Sequence, residues 1–305
     1  MATNPKKRNL LKAGFDVLLS ERSKERTERT MLAIAIGSYL AHLLLIFLNT
    51  QGVFGLEQNF FRDPIAAIYT PFSFILIYEV YLLIYFLPKS ITIYIGKQYE
   101  IITLIVIRRI FKDIAYVDLE SNWFENKYDL QFTYDIVTSL ILFGLIFLFY
   151  QSVKKRNYRT IDKPTKRGAK MKQFVLLKQS LAALLVPFLI GLALYAVGHW
   201  AVTMYADYAN GILEFKQINN VFFDQFFTVL IVVDVLLLLF SFFHSDQFHK
   251  IIRNSGFVIS TILIKVSFLS VGIVNNVLIV SAVFFGYLIL LIHNLYERDA
   301  EARNQ

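Results

Sequence analysis

Long apolar stretches separated by short polar ones run through the chain from residue 31 to residue 294. Crossing about 30 Å of hydrocarbon takes roughly 20 residues of helix. Stretches of that length stand at 31–49, 64–87, 134–152, 177–204 and 221–243. The last apolar run, about 256–294, is too long for one crossing and predicts two helices, 254–272 and 274–294, broken near Gly272. The segment 93–115 is apolar in bulk but carries Lys97, Glu100, Arg108, Arg109 and Lys112, and hydropathy alone would lay it in the membrane plane.

Charge counting puts 93–115 across the membrane. Lys154, Lys155, Arg156, Arg159, Lys163, Lys166, Arg167, Lys170 and Lys172 crowd one loop, and eight further bases precede residue 31. Basic loops stay in the cytoplasm. If 93–115 failed to cross, that loop would lie outside. The expected fold is therefore an all-α polytopic membrane protein of about eight transmembrane helices. Both termini would be cytoplasmic, in an inner (plasma) membrane.

Composition agrees with this class and removes others. Of 305 residues, 18% are charged and 56% hydrophobic, with 29 Phe, against about 25% charged in a soluble domain. The absence of Cys removes disulfides, thiolate metal sites and Cys nucleophiles. The net charge of +8 is concentrated in loops that flank apolar spans. It therefore points to topology and anionic lipid, not nucleic acid. Residues 1–30 interleave Leu10, Leu11, Phe15, Leu18 and Leu19 with charges, which predicts an amphipathic interfacial helix and no cleavable signal peptide.

Sliding the chain on itself suggests a repeat. At an offset of 157, 100–111 lies over 257–268, pairing Arg108 with Lys265 and Thr103 with Ser260; the same offset pairs His42 with His199. At 155, Glu79 meets Asp234, and at 142 Phe143–Gly144 meets Phe285–Gly286. Apolar helices align at almost any offset, so the polar columns carry the information. The expected organisation is a cytoplasmic segment 1–30, a four-helix unit 31–152, a basic linker 153–175, a second four-helix unit 176–294 and a tail 295–305. Two even-numbered units share one orientation.

Charges inside spans are costly, about 2.5–3.5 kcal/mol each on insertion scales, so they face a partner or a wet cavity. Glu79, Arg108, Arg109, Asp234 and Lys265 are such residues. The expected pairs are Glu79 with Arg108, about 9 Å apart in depth at ~1.5 Å per residue, and Asp234 with Lys265. They would form buried ion pairs or line a pathway for a small ion, a proton or an anionic solute. The bases do not recur at every third position, which speaks against a voltage-sensing helix. His42 and His199 are candidates for a proton relay.

The function expected from this pattern is a channel or transporter. One alternative is a non-transporting subunit that docks a protein partner or anionic lipid through Lys154, Lys155, Arg156, Lys166 and Arg167. The other is an intramembrane enzyme, with haem between His42 and His199 or metal at His244 and His249 of the HSDQFH stretch. No catalytic residue and no cofactor is predicted, with haem and metal left open, and a homo-oligomer is compatible with the sequence.

Overall fold

The computed structural model describes residues 17–53, 64, 66–114, 127–160, 169–209, 218–242, 248–270 and 272–303. Among these, eight long helices follow one another: α1 (Glu21–Thr50), α2 (Tyr69–Phe86), α3 (Ile91–Asp113), α4 (Lys127–Thr160), α5 (Ala169–Ala209), α6 (Ile218–Phe242), α7 (Phe248–Ser267) and α8 (Ile273–Ala302). No strand occurs among the described residues. Five helices contain stretches long and apolar enough to cross a membrane, Glu21–Thr50, Asp129–Lys154, Phe174–Tyr195, Gln225–Phe242 and Ile273–Ala300, and Thr70–Phe86 is a shorter apolar one.

Local chemistry sets the helix ends. Ser20 caps α1, its hydroxyl accepting from the Ser23 amide, and Ser90 caps α3 by accepting from Ile93. Such caps satisfy amide donors that the first turn leaves open. With no Gly or Pro between residues 21 and 31, α1 runs through what the sequence suggested was a separate interfacial element. The polar first turns are pinned by a tyrosine stripe on α2: Tyr85 donates to Glu21, Tyr78 to Glu28 at 2.9 Å and Tyr81 to the Leu18 carbonyl at 2.9 Å. The break expected near Gly272 lies there, at φ 71° between α7 and α8, a conformation that glycine adopts without a Cβ penalty.

Packing explains why hydropathy treats α3 and α7 badly. Consecutive helices pack from α1 to α4 and again from α5 to α8, while α3 touches α7, α4 touches α8 and α2 touches α5. In α3, Tyr94, Ile95, Gln98, Tyr99, Ile102, Thr103 and Val106 are all buried. In α7 the buried set includes Asn254, Gly256, Phe257, Ser260, Thr261 and Ser267. These two helices present polar atoms to protein, so their hydropathy is low although they sit centrally. The exterior is the reverse: Leu40, Leu140, Phe143, Leu184, Leu194 and Leu269 are exposed. An apolar exterior around a core holding buried polar groups is what hydrocarbon surroundings require.

Candidate functional site

Among the described residues, many of the buried polar side chains gather in three clusters. Asp234 of α6 is the centre of the first and is only 3% exposed. Gln98 of α3 donates to Asp234 Oδ2 at 3.1 Å. The Tyr94 hydroxyl lies beside the same carboxylate without hydrogen-bond geometry. Thr261 of α7, whose hydroxyl donates to the Val258 carbonyl at 2.9 Å, also faces it. The cation acting on Asp234 is Lys178 of α5, itself buried, whose ammonium donates to the Lys89 carbonyl at 3.0 Å.

A small cavity adjoins this carboxylate, walled by α2, α3, α6 and α7. Gln98, Asp234, Thr261 and Lys265 supply its polar lining, and Leu83, Leu230 and Phe268 contribute apolar walls. Lys265 lies toward the end near Phe227 and Phe268, where its ammonium donates to Thr228 Oγ1 at 2.8 Å. The carboxylate is thus held in a neutral hydrogen-bonding frame, with the Lys178 charge acting on it. Such a group can take up and release a proton or a small cation.

The second cluster joins the α3 and α4 ends to the α7–α8 turn. Arg109 grips the fully buried Asp135 of α4 bidentately, through Nε and through Nη2 at 2.7 Å. It also donates to Asn275 Oδ1 at 2.8 Å and Asn276 Oδ1 at 2.6 Å. Gln131 and Asn276 donate to Asp135 Oδ1 at 2.8 and 2.7 Å, and Asn275 donates to the Ser267 carbonyl at 2.5 Å, closing the last turn of α7. A bidentate guanidinium–carboxylate pair with its remaining valences satisfied is geometrically specific.

The third cluster lies at the opposite end of α7 and α8 and contains His249, Arg253, Asn254, His293 and Glu297. Partial burial pushes the His249 imidazole below its ordinary range, with Lys250 and Arg253 adding to the effect and Glu297 opposing it. From Asn276 to His293 is about 25 Å along α8 at ~1.5 Å per residue. The two end clusters are therefore separated by close to a hydrocarbon thickness, about 30 Å.

The charges singled out from sequence meet other partners than expected. Glu79 is buried and feels the Arg108 charge, but among the described residues the two do not close an ion pair. Asp234 and Lys265 line one cavity, where Gln98 donates to the carboxylate, the Lys178 charge acts on it, and Thr228 accepts from the lysine. Sequence reasoning missed Asp135, Gln98, Lys178, Asn275 and Asn276. The Asn pair within an apolar run and the lone Asp beside the start of span 134–152 were the signals available.

His42 is buried, its Nδ1 2.6 Å from Thr70 Oγ1, which ties α1 to α2. His249 lies against His293. Lys154 is exposed at the far end of α4. The side chains of Lys155, Arg156 and His199, and residues Lys166, Arg167 and His244, lie outside the described residues.

These features define a helical membrane protein with a buried acid at a cavity between its helices. No protein-family model, curated protein or solved structure matches the chain.

Proposed function

We propose that this chain is a membrane transporter or channel that passes a proton or small cation by way of Asp234. The supporting observation is that this acid, buried at membrane depth, borders a cavity and faces helices of both halves: Gln98 from the first, and Thr261 and the Lys178 charge from the second. Holding a carboxylate there costs free energy, which a purely apolar packing contact would avoid. Lys178 on the side of the Lys89 turn and Lys265 on the other give the pathway a cation on each side of the acid.

The same reading makes the protein two tandem four-helix units of one orientation, eight crossings in all, with both termini and the 153–175 linker cytoplasmic. The repeated neighbour order, α1 to α4 and α5 to α8, supports it, as do the contacts between corresponding helices, α3 with α7 and α4 with α8. On this topology Lys178 lies toward the cytoplasm and the Lys265 end of the cavity toward the outside.

Reconstituted into liposomes, the protein is expected to conduct protons or monovalent cations, and Asp234→Asn to cut that flux by about tenfold or more, because it removes the charge at the site. Glu79→Gln serves as the comparison, since Glu79 does not line the cavity. Unchanged flux in Asp234→Asn, in protein that still folds, would overturn the assignment.

A further inference from the structure

The third cluster is built from two pairs of residues, each spaced four apart on one helix. His249 and Arg253 share a face of α7, and His293 and Glu297 share a face of α8, because residues four apart are helical neighbours. The two faces meet. The imidazoles of His249 and His293 have centroids 5.2 Å apart with planes inclined by 30°. Glu297 Oε1 stands 3.1 Å from His293 Nε2, and Arg253 Nη1 stands 3.0 Å from the same nitrogen. One ligand atom from each of His249, His293 and Glu297 lies within 4.8 Å of the other two.

We propose that His249, His293 and Glu297 form a binding site for a divalent first-row metal ion of the zinc type. Two imidazoles and one carboxylate suit zinc, iron and manganese better than the all-oxygen sets that calcium and magnesium prefer. Around an ion with bonds of about 2.0–2.2 Å, ligand atoms sit roughly 3.4 Å apart. Closure therefore asks for a shift on the order of 1 Å, supplied by His249 and Glu297, which are only partly buried. His293 is the fixed member, its side chain 1% exposed. Water takes the remaining coordination positions. The ion would fasten the first turn of α7 to α8 at one membrane face, outside the lining of the Asp234 cavity.

Arg253 sets the affinity. Its guanidinium is held on Asn254 Oδ1 through Nε at 3.2 Å and Nη2 at 2.9 Å. When the ion takes His293 Nε2, Nη1 has to swing off the single lone pair of that nitrogen, while Nε and Nη2 keep their hold on Asn254. A fixed cation beside the metal opposes its charge, so removing it strengthens binding.

The test is titration of the purified full-length protein in detergent with Co2+, followed by its visible ligand-field bands, and with Zn2+ at equilibrium. One ion per chain is expected. His249→Gln and Glu297→Gln, both at partly exposed positions where folding survives, are expected to weaken binding by about 100-fold, as loss of one of three ligands should. Arg253→Gln is expected to tighten it by about tenfold, and Asp234→Asn to leave it unchanged. Less than one ion per chain, affinity unaffected by the His249 and Glu297 substitutions, or weaker binding in Arg253→Gln would overturn the site.

Discussion

Asp135→Ala is expected to destabilise the folded protein by about 3–5 kcal/mol, the range found when one partner of a buried ion pair is removed. The carboxylate is fully buried and accepts from Arg109, Gln131 and Asn276 together. Its loss strands the Arg109 guanidinium with only the two Asn oxygens. A charge that has lost its counter-ion keeps its desolvation cost without the compensating attraction. Asp135→Asn keeps hydrogen-bonding atoms but not the charge, so it should fall between wild type and alanine.

The double variant Arg109→Met, Asp135→Leu separates pair from packing. Replacing both members of a buried ion pair by apolar side chains is often neutral, so the double variant should be more stable than Asp135→Ala alone. Equilibrium unfolding in detergent or bicelles reads both effects. A loss below about 1 kcal/mol for Asp135→Ala would mean that this cluster does not clamp α3 and α4 to the α7–α8 turn.

Gly286→Ala is the second large effect expected. A Cβ at this position would overlap the Tyr99 hydroxyl and come within 2.9 Å of its Cζ and 3.1 Å of Ser260 Oγ. Neither neighbour can yield cheaply. Ser260 gives its one proton to the Ala282 carbonyl at 2.6 Å, so Tyr99 is the donor in the 2.8 Å bond between the two hydroxyls. Tyr99 is itself fully buried, its ring packed edge-on against Phe149 at 5.3 Å. Overpacking of this kind costs about 1–3 kcal/mol, and more when a hydrogen bond breaks as well.

Tyr99→Phe in the Gly286→Ala background should recover part of the loss by deleting the overlapping oxygen, a coupling that a double-mutant cycle measures. Gly144→Ala, at the position aligned with Gly286 in the sequence repeat, should be neutral or slightly stabilising, because a Cβ there meets nothing within 4 Å. Equal destabilisation at the two glycines would refute the close approach of Tyr99 to α8.

Together these two sites show which parts of the seam could be read in advance. That Arg109 needs a partner follows from its place in an apolar run, and its discomfort in lipid is a property of the residue alone. Which acid answers it depends on how α3 and α4 are rotated about their axes. Glu79 is the acid deep in the span that precedes the one holding Arg108. Asp135 stands at the start of the apolar span 134–152, where an acid can be taken for one that reaches the interface.

Lys178 shows the same thing from the other side. It stands near the beginning of an apolar stretch, where a lysine usually reaches for the interface, yet α5 turns it inward to the Lys89 carbonyl and toward Asp234. The third cluster could not be assembled from spacing either. His249 and His293 are distant in sequence, and the HSDQFH spacing pairs His249 with His244, not with His293.

By itself, then, the sequence determined the membrane class, the positions of eight helices and the glycine break between the last two. These follow from chain-local physics: apolar length against hydrocarbon thickness, backbone hydrogen bonds that must close within each helix, and the one φ value that only glycine takes cheaply. Tertiary structure alone decided the partners: Asp135 for Arg109, Gln98 and Lys178 for Asp234, Glu297 and His249 for His293. Every lipid-facing side of a helix looks much alike in sequence, so neither helix rotation nor depth is encoded in hydropathy. Those two quantities are set only when small residues such as Gly286 let one helix come close to another.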